Sequence, residues 1–262
     1  MAIDAQDRIA SVLAVAGSDS SGGAGLSRDI ATIAQLGLSA AVAVTAVTAQ
    51  TDRHVLAVET MPPHLVARQM ETALEARDVR AIKIGMLATR PIVEAVTSVL
   101  KKHPAIPVVL DPVLAASSGK LLLEADALGT LKHELMPLCP LVTPNWIELA
   151  VLCGSEPARC DEEAIAQGHA SLHSTGCSAL LVKGGHSPDQ SGSTDILLRK
   201  EEAPLLFNAP RVNAELRGSG CRLSSAIAAM LASGKSLEDS ISEAKDKLLA
   251  AYRAAALTHA HQ

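Results

Sequence analysis

Six short, nearly continuous apolar runs recur along the chain: SVLAVAG, AAVAVTAVTA, AIKIGML, PVVLDPV, LCPLVTP and SALLVKGG. Their length and branched side chains suit strands, and their lack of polar alternation requires cover on both faces. Helical periodicity fills intervals between them, as in PPHLVARQMETALEAR and RPIVEAVTSVLKKH. This alternation predicts an α/β fold: a doubly wound, mostly parallel sheet with helices on both faces. STDILLRK and APLLFNAPRV, parted by the charged step Glu201-Glu202, predict a late hairpin on one edge of that sheet. Two helices, from about Cys221 and from about Ser236, close the chain. No repeat or linker-like stretch divides it, so residues 1–262 are read as a single domain, long enough to bury a large core without disulfides.

Charge and cysteine usage remove several function classes. A net charge of −5 with no Lys/Arg cluster argues against nucleic acid or an anionic membrane as the partner. Cys139, Cys153, Cys160, Cys177 and Cys221 are scattered and never form a CxxC pair, which fits a reducing cytoplasm better than a disulfide framework or a zinc site. The first residues, MAIDAQDRIA, lack an apolar signal region, and the longest nearly apolar run, SAAVAVTAVTA, is too short to span a bilayer.

In open α/β sheets the ligand sits beyond the carboxyl ends of the strands. Those ends carry the unusual residues here: GSDSSGGAG (17–25) after the first run, Gln50 after the second, Gly85-Met86 after the third, Asp111 after the fourth and Lys183-Gly184-Gly185-His186 after the sixth. The fifth leads into TPNWIE, which puts Asn145 and Glu148 three apart at a helix start and so on one face. Taken singly, most of these have plain structural readings. Asp111 before Pro112 forms a turn, Glu148 favours a helix N-terminus, and His169 and His173, spaced four apart without an acidic neighbour, are surface residues on a helix. GSDSSGGAG matches neither the dinucleotide fingerprint nor the GxxxxGK[ST] phosphate loop.

The strongest signal is Gly218-Ser219-Gly220-Cys221. Small residues leading into a helix expose several backbone N–H groups in one concavity, where the helix dipole adds positive charge, so an anion is favoured there. An anion hole, a lysine, acidic residues able to hold a divalent cation and a second glycine loop are what phosphoryl transfer requires.

AGSDSSGGAGLSRD, AVTAVTAQ, KIGML, DPVLAASSG, TPNWIE, VKGGH and RGSGCRLS follow one another in the order and spacing of the hydroxymethylpyrimidine and phosphomethylpyrimidine kinases of thiamine biosynthesis, within the ribokinase superfamily, and the chain resembles that family from about Ser11 to Lys247. The resemblance implies a ribokinase-like fold, use of ATP and Mg2+, a homodimer, and phosphorylation of the hydroxymethyl group of 4-amino-5-hydroxymethyl-2-methylpyrimidine. It implies that Gly17, Ala24, Asp29, Gln50, Met86 and Val113 line the pyrimidine pocket, with the Gln50 amide reading the ring's polar edge. Asp111 and Glu148, with Asn145 nearby, would serve magnesium and phosphate. Lys183 would neutralise phosphate charge, and Gly218, Ser219, Gly220 and Cys221 would hold the transferring group. The thiol at a helix N-terminus between Arg217 and Arg222 is expected to be partly thiolate at neutral pH and to act as base on the substrate hydroxyl.

Only Trp146, Phe207 and Tyr252 are aromatic, and none lies in a motif expected to touch the ring, which would therefore pack against aliphatic side chains and Met86. The chain departs from the family pattern at Ser117, where a lysine is usual, at Thr51-Asp52 after Gln50, at Arg217 in place of a histidine and at Arg222 in place of a threonine. These departures keep a pyridoxal-type kinase and a pyrimidine-binding relative without catalysis as alternatives.

Overall fold

The computed structural model describes residues 9–116, 119–186 and 192–259; Ser117 and the tail residue His261 lie outside them. The elements run β1 (Ser11–Ala16), α1 (Gly25–Gln35), β2 (Ser39–Val44), β3 (Ala46–Gln50), β4 (Val55–Thr60), α2 (Pro63–Ala76), β5 (Val79–Ile84), α3 (Arg90–Leu100), β6 (Val108–Leu110), α4 (Ala127–Thr130), β7 (Leu141–Val142), α5 (Trp146–Cys153), α6 (Asp161–Thr175), β8 (Ala179–Val182), β9 (Ser193–Arg199), β10 (Leu205–Ala209), α7 (Ser219–Ala232) and α8 (Leu237–His259).

Eight strands form one sheet in the order β10-β9-β8-β7-β6-β5-β1-β2. The six from β8 to β2 are parallel, while β9 and β10 add antiparallel at one edge as the predicted late hairpin. The alternating side chains of β1 show why its run is apolar throughout. Leu13 and Val15 pack towards Val66, Met70, Ile92 and Trp146 on one side, whereas Val12, Ala14 and Ala16 pack towards Leu26, Ile33, Ile227 and Ile241 on the other. Both faces are thus covered by helices, α2, α3, α5 and α6 on the first and α1, α7 and α8 on the second. Among the described residues no helix is long and apolar enough to cross a membrane.

One expectation is corrected. AAVAVTAVTA is not one strand: the chain bends at Thr45, and β3 leaves the sheet to pair antiparallel with β4 in a separate two-stranded flap. Thr45 is fully buried, and its hydroxyl donates to the Met86 carbonyl at 2.5 Å while its amide donates to the Ala16 carbonyl. The bend is therefore imposed from neighbouring strands rather than by a local glycine or proline. In β3, Ala46 and Thr48 are buried while Val47 is about half exposed (47%), the alternation of a two-stranded layer covered on one side only.

The order of strands reverses between β1 and β5, since the chain runs from β1 outward to β2 and then returns to β5 on the other side. A ligand-binding crevice is expected at that reversal. The loops after β1, β5, β6, β7 and β8 open there, and the N-terminus of α7 reaches the same place.

Candidate active site

The glycine loop is a built structure rather than a slack turn. Asp19 is almost fully buried, and its carboxylate accepts the Ser21 amide (2.8 Å), the Ser21 hydroxyl (2.7 Å) and the Ala24 amide (2.8 Å). Burial pushes this carboxyl up, but the bonds from Ser21, Gln50 and Ala24 outweigh it and leave the pKa below the usual carboxylate range. Gly25 has φ of 56°, and a Cβ there would stand 2.4 Å from the Gly17 carbonyl oxygen, so only glycine fits where α1 begins against the end of β1. Gly17 in turn lies against Met86, whose sulfur would be 3.0 Å from a Cβ at that position.

Asp111, Glu148 and Lys183 form one buried cluster. Lys183 Nζ is 2.6 Å from Asp111 Oδ1 and 3.6 Å from Glu148 Oε2. The Thr143 hydroxyl lies 3.4 Å and the Ser224 hydroxyl 3.5 Å from the Asp111 carboxylate. A Cβ at Gly220 would sit 3.3 Å from both Asp111 Oδ2 and Lys183 Nζ, so the first turn of α7 presents bare backbone to this cluster. Asn145 is spent on the helix: its side chain accepts the Ile147 and Glu148 amides (2.9 Å each), while Glu148 Oε2 accepts the Asn145 amide at 2.7 Å. This reciprocal cap confirms the plain structural reading of Glu148 and also aims its carboxylate at Lys183.

Burial, with Asp111 adding to it, pushes the Glu148 carboxyl up to about 7 against the pull of Lys183 and the Asn145 amide. Burial works against the Lys183 charge, but Asp111 and Glu148 outweigh it and hold that pKa above the usual lysine range. The Glu148 shift predicts a pH dependence of stability. The folded state keeps a proton that the unfolded state releases near 4.5, so stability is greatest below that pH, falls as the pH rises to about 7 and is flat beyond. The loss between pH 5 and pH 8 is on the order of 2–3 kcal/mol. Urea midpoints at pH 5 and pH 8 should differ accordingly in the wild type and much less in Glu148→Gln; an equal difference in both proteins would remove Glu148 as its source.

Beneath the crevice lies a second pair. Lys83 and Asp29 are fully buried, with Lys83 Nζ 2.8 Å from both Asp29 oxygens, and Ser225 donates to Asp29 at 2.8 Å. Asp29 faces inward in this arrangement, so any part it takes in the pyrimidine pocket is through Lys83 and Ser225. Burial opposes the Lys83 charge, but Asp29, with Cys221 and Asp111 nearby, holds its pKa above the ordinary range. Lys83 is not among the residues that the motifs single out, although a lysine inside a strand covered on both faces is itself a signal that a partner must be present.

Cys221 stands over this pair. Burial pushes its thiol up to about 11, Asp29 and Asp111 add to the shift, and Lys83 and the Gly25 amide reduce it. The expected thiolate is therefore corrected to a neutral thiol. The two flanking arginines do not offset this: Arg217 pairs with Asp19 and Asp52, and Arg222, its pKa lowered by burial and by Arg28, has its buried Nε without a hydrogen-bond partner. Alkylation of Cys221 by iodoacetamide should be slow at pH 7 and rise through about pH 11. A rate already at its plateau at pH 8 would reinstate the thiolate.

Met86 and Val113 meet Ala46, Val58, Ala88 and Leu122 in one small apolar cluster beneath the flap. Gln50 ends β3 above it, its backbone amide and carbonyl both bonded to the Ser20 hydroxyl (2.8 and 2.9 Å). The predicted pocket residues Gly17, Gln50, Met86 and Val113 thus converge, with Ala24 at the start of α1. A groove of about 390 Å3 lies elsewhere, between β2 and α2, and includes none of these residues. Trp146 is core, and among the described residues no group of three or more acidic, histidine or cysteine side chains is disposed to hold a metal alone.

The sequence profile of phosphomethylpyrimidine kinases matches residues 19–262. The hydroxymethylpyrimidine/phosphomethylpyrimidine kinase of Rhizobium meliloti (strain 1021) is 42% identical over 246 residues, covering 93% of this chain and 90% of the relative. The crystal structure of the phosphomethylpyrimidine kinase of Clostridium difficile 630 superposes with a TM-score of 0.80 at 32% identity, covering 93% of this chain and 99% of that one. The pyridoxal kinase of Staphylococcus aureus in complex with AMP-PCP gives a TM-score of 0.82 at 28% identity, over 92% and 87% of the two chains. With the profile spanning nearly the whole sequence and both kinase structures sharing its ribokinase-like architecture, the chain belongs to the phosphomethylpyrimidine kinase family.

Proposed function

We propose that this protein transfers the γ-phosphoryl group of ATP to the hydroxymethyl oxygen of 4-amino-5-hydroxymethyl-2-methylpyrimidine, and that the monophosphate so formed is a second acceptor. The observation that carries the reading is the close approach of Gly220, at the start of α7, to Asp111 and Lys183, where a Cβ would stand 3.3 Å from each charged group. Helix amides and a lysine on one side of a crevice and an apolar cluster with a single amide side chain on the other suit a phosphate donor facing a small polar heterocycle. The double name of the R. meliloti relative supports both acceptors, and AMP-PCP in the S. aureus relative supports a nucleoside triphosphate as donor.

The amides of Gly218–Cys221 would receive the phosphoryl oxygens, and Lys183 would neutralise charge that grows as the bond to the leaving phosphate breaks. Asp111 and Glu148 suit magnesium, which commonly takes one or two carboxylates and completes its shell with water and phosphate. Magnesium would neutralise phosphate charge when bound. With Cys221 a neutral thiol, its part is to orient the acceptor hydroxyl. The hydroxyl proton passes to an oxygen of the phosphoryl group as the new O–P bond forms. Gln50 would pair with the ring's polar edge, an amide being donor and acceptor side by side. The same reading carries a homodimer and a cytoplasmic location.

Mass spectrometry of an incubation with ATP, magnesium and the pyrimidine tests the reading. A phosphorylated pyrimidine is the expected product. ADP release unchanged by the pyrimidine, with no monophosphate formed, would overturn it, and phosphorylation of pyridoxine alone would move the protein to the pyridoxal kinase side of the family.

A further inference from the structure

Three segments far apart in sequence meet at one guanidinium. Arg217 Nη1 donates to the Ser21 hydroxyl at 2.7 Å and to the Asp52 carboxylate, and Nη2 lies 3.4 Å from Asp19 Oδ2. Asp19 and Ser21 belong to the glycine loop, Asp52 to the tip of the flap between β3 and β4, and Arg217 immediately precedes the anion hole. The fit is close, since a Cβ at Gly23 would stand 2.8 Å from Arg217 Nη1 and one at Gly218 would stand 2.5 Å from the Gly23 carbonyl oxygen. Asp52 and Arg217 are both positions where this chain departs from the pattern it otherwise resembles, and here they are partners.

Two carboxylates already neutralise this arginine, and they would repel a phosphate brought to it. An anion receptor is therefore a poor description of Arg217; a fastener fits better. The Asp52 side chain is 75% exposed, so its pairing alone adds little to global stability. What the contact does is local. It ties the flap tip to the glycine loop two residues beyond Gln50, which is itself tied there by Ser20 and by a side-chain bond to Asp19.

We propose that Arg217 is a positioning residue that, through Asp52 and the Asp19–Ser21 turn, fastens the flap over the crevice and fixes Gln50 where it meets the heterocyclic acceptor. The consequence for substrate rests on the pyrimidine kinase reading above; the fastening itself does not.

Amide hydrogen exchange of residues 51–54 in the free protein tests the fastening, and calorimetric titration with the pyrimidine and separately with ATP tests its consequence. Arg217→Gln and Asp52→Asn should each speed exchange at the flap tip at least fivefold and weaken pyrimidine binding about three- to tenfold, leaving ATP binding within twofold of wild type. The double variant should match Arg217→Gln alone, because both changes break the same connection, and Arg217→Lys should recover part of the loss. Unchanged exchange in both single variants, or multiplying effects in the double, would overturn the proposal. Asp52→Asn decides it even if the arginine variants fold poorly, since Asp52 lies at an exposed tip. A wild type that takes up no pyrimidine, while Asp52→Asn still loosens the tip, would sink the substrate assignment and leave the fastening standing.

Discussion

Lys183→Ala is expected to lower turnover by about 10²–10³-fold at saturating ATP and pyrimidine, the range seen when one preorganised electrostatic donor is removed from a transition state. Pyrimidine affinity should change little, because the apolar cluster and Gln50 lie on the other side of the crevice. The variant also leaves Asp111 and Glu148 buried without their cation, and breaking a buried pair in this way typically costs about 3–5 kcal/mol. The two effects separate by pH. Without Lys183 the Glu148 carboxyl, already raised by burial, holds its proton still more readily in the folded state than in the unfolded chain, so the stability loss should be smallest near pH 5 and grow towards pH 8. The turnover defect should persist at every pH where the variant is folded by circular dichroism. A folded Lys183→Ala protein with turnover near wild type would remove Lys183 from the reaction and leave it a partner of two buried carboxylates.

The second large effect falls on stability. Lys83→Met should destabilise the fold by about 3–5 kcal/mol, because among the described residues it leaves fully buried Asp29 with the Ser225 hydroxyl alone for compensation. Replacing both residues in Lys83→Met with Asp29→Leu should recover most of that loss, since apolar residues of similar volume often match a buried ion pair. Urea unfolding of the two variants makes the comparison. Recovery in the double variant together with lost turnover would show that the pair serves the site rather than the fold, and its place below Cys221 and Gly85 supports that division. A single variant as stable as wild type would mean that Asp29 is neutral when buried. The raised Lys83 pKa contributes stability present below about 10.4, the unfolded value, and lost as pH rises through the folded one, whereas burial raises the Asp29 carboxyl and so works against stability as pH rises through the carboxylate range.

Much of this protein was legible before any fold was seen, and the legible part has one cause. Strands covered on both faces must be apolar throughout, so β1, β5 and β8 stand out as branched runs, and the residue that ends each run lies at the carboxyl edge where ligands bind. That rule picked out Asp111, Lys183, Met86 and the glycine loop one at a time, and the helix-start chemistry of Asn145 and Glu148 followed from spacing alone. It did not say which residues would touch. Lys183 meets Asp111 across 72 positions, and Lys83 meets Asp29 across 54. Such pairings are decided by strand order, which a string of apolar runs does not encode.

The same limit explains the errors. The bend at Thr45 has no local punctuation; it comes from hydrogen bonds to Ala16 and Met86, which become neighbours only once β1, β2 and β5 are side by side. The thiolate expected at Cys221 followed from a helix N-terminus and two flanking arginines, all read correctly from the sequence. Yet one arginine is held by Asp19 and Asp52 and the other lies against Arg28, while burial with Asp29 and Asp111 nearby keeps the proton on sulfur. Periodicity and residue chemistry thus determined the kind of fold and the inventory of the site, because those properties are local. Charge states, partners and the direction each side chain faces belong to the tertiary structure, because burial and Coulomb interactions depend on distances that only chain packing sets.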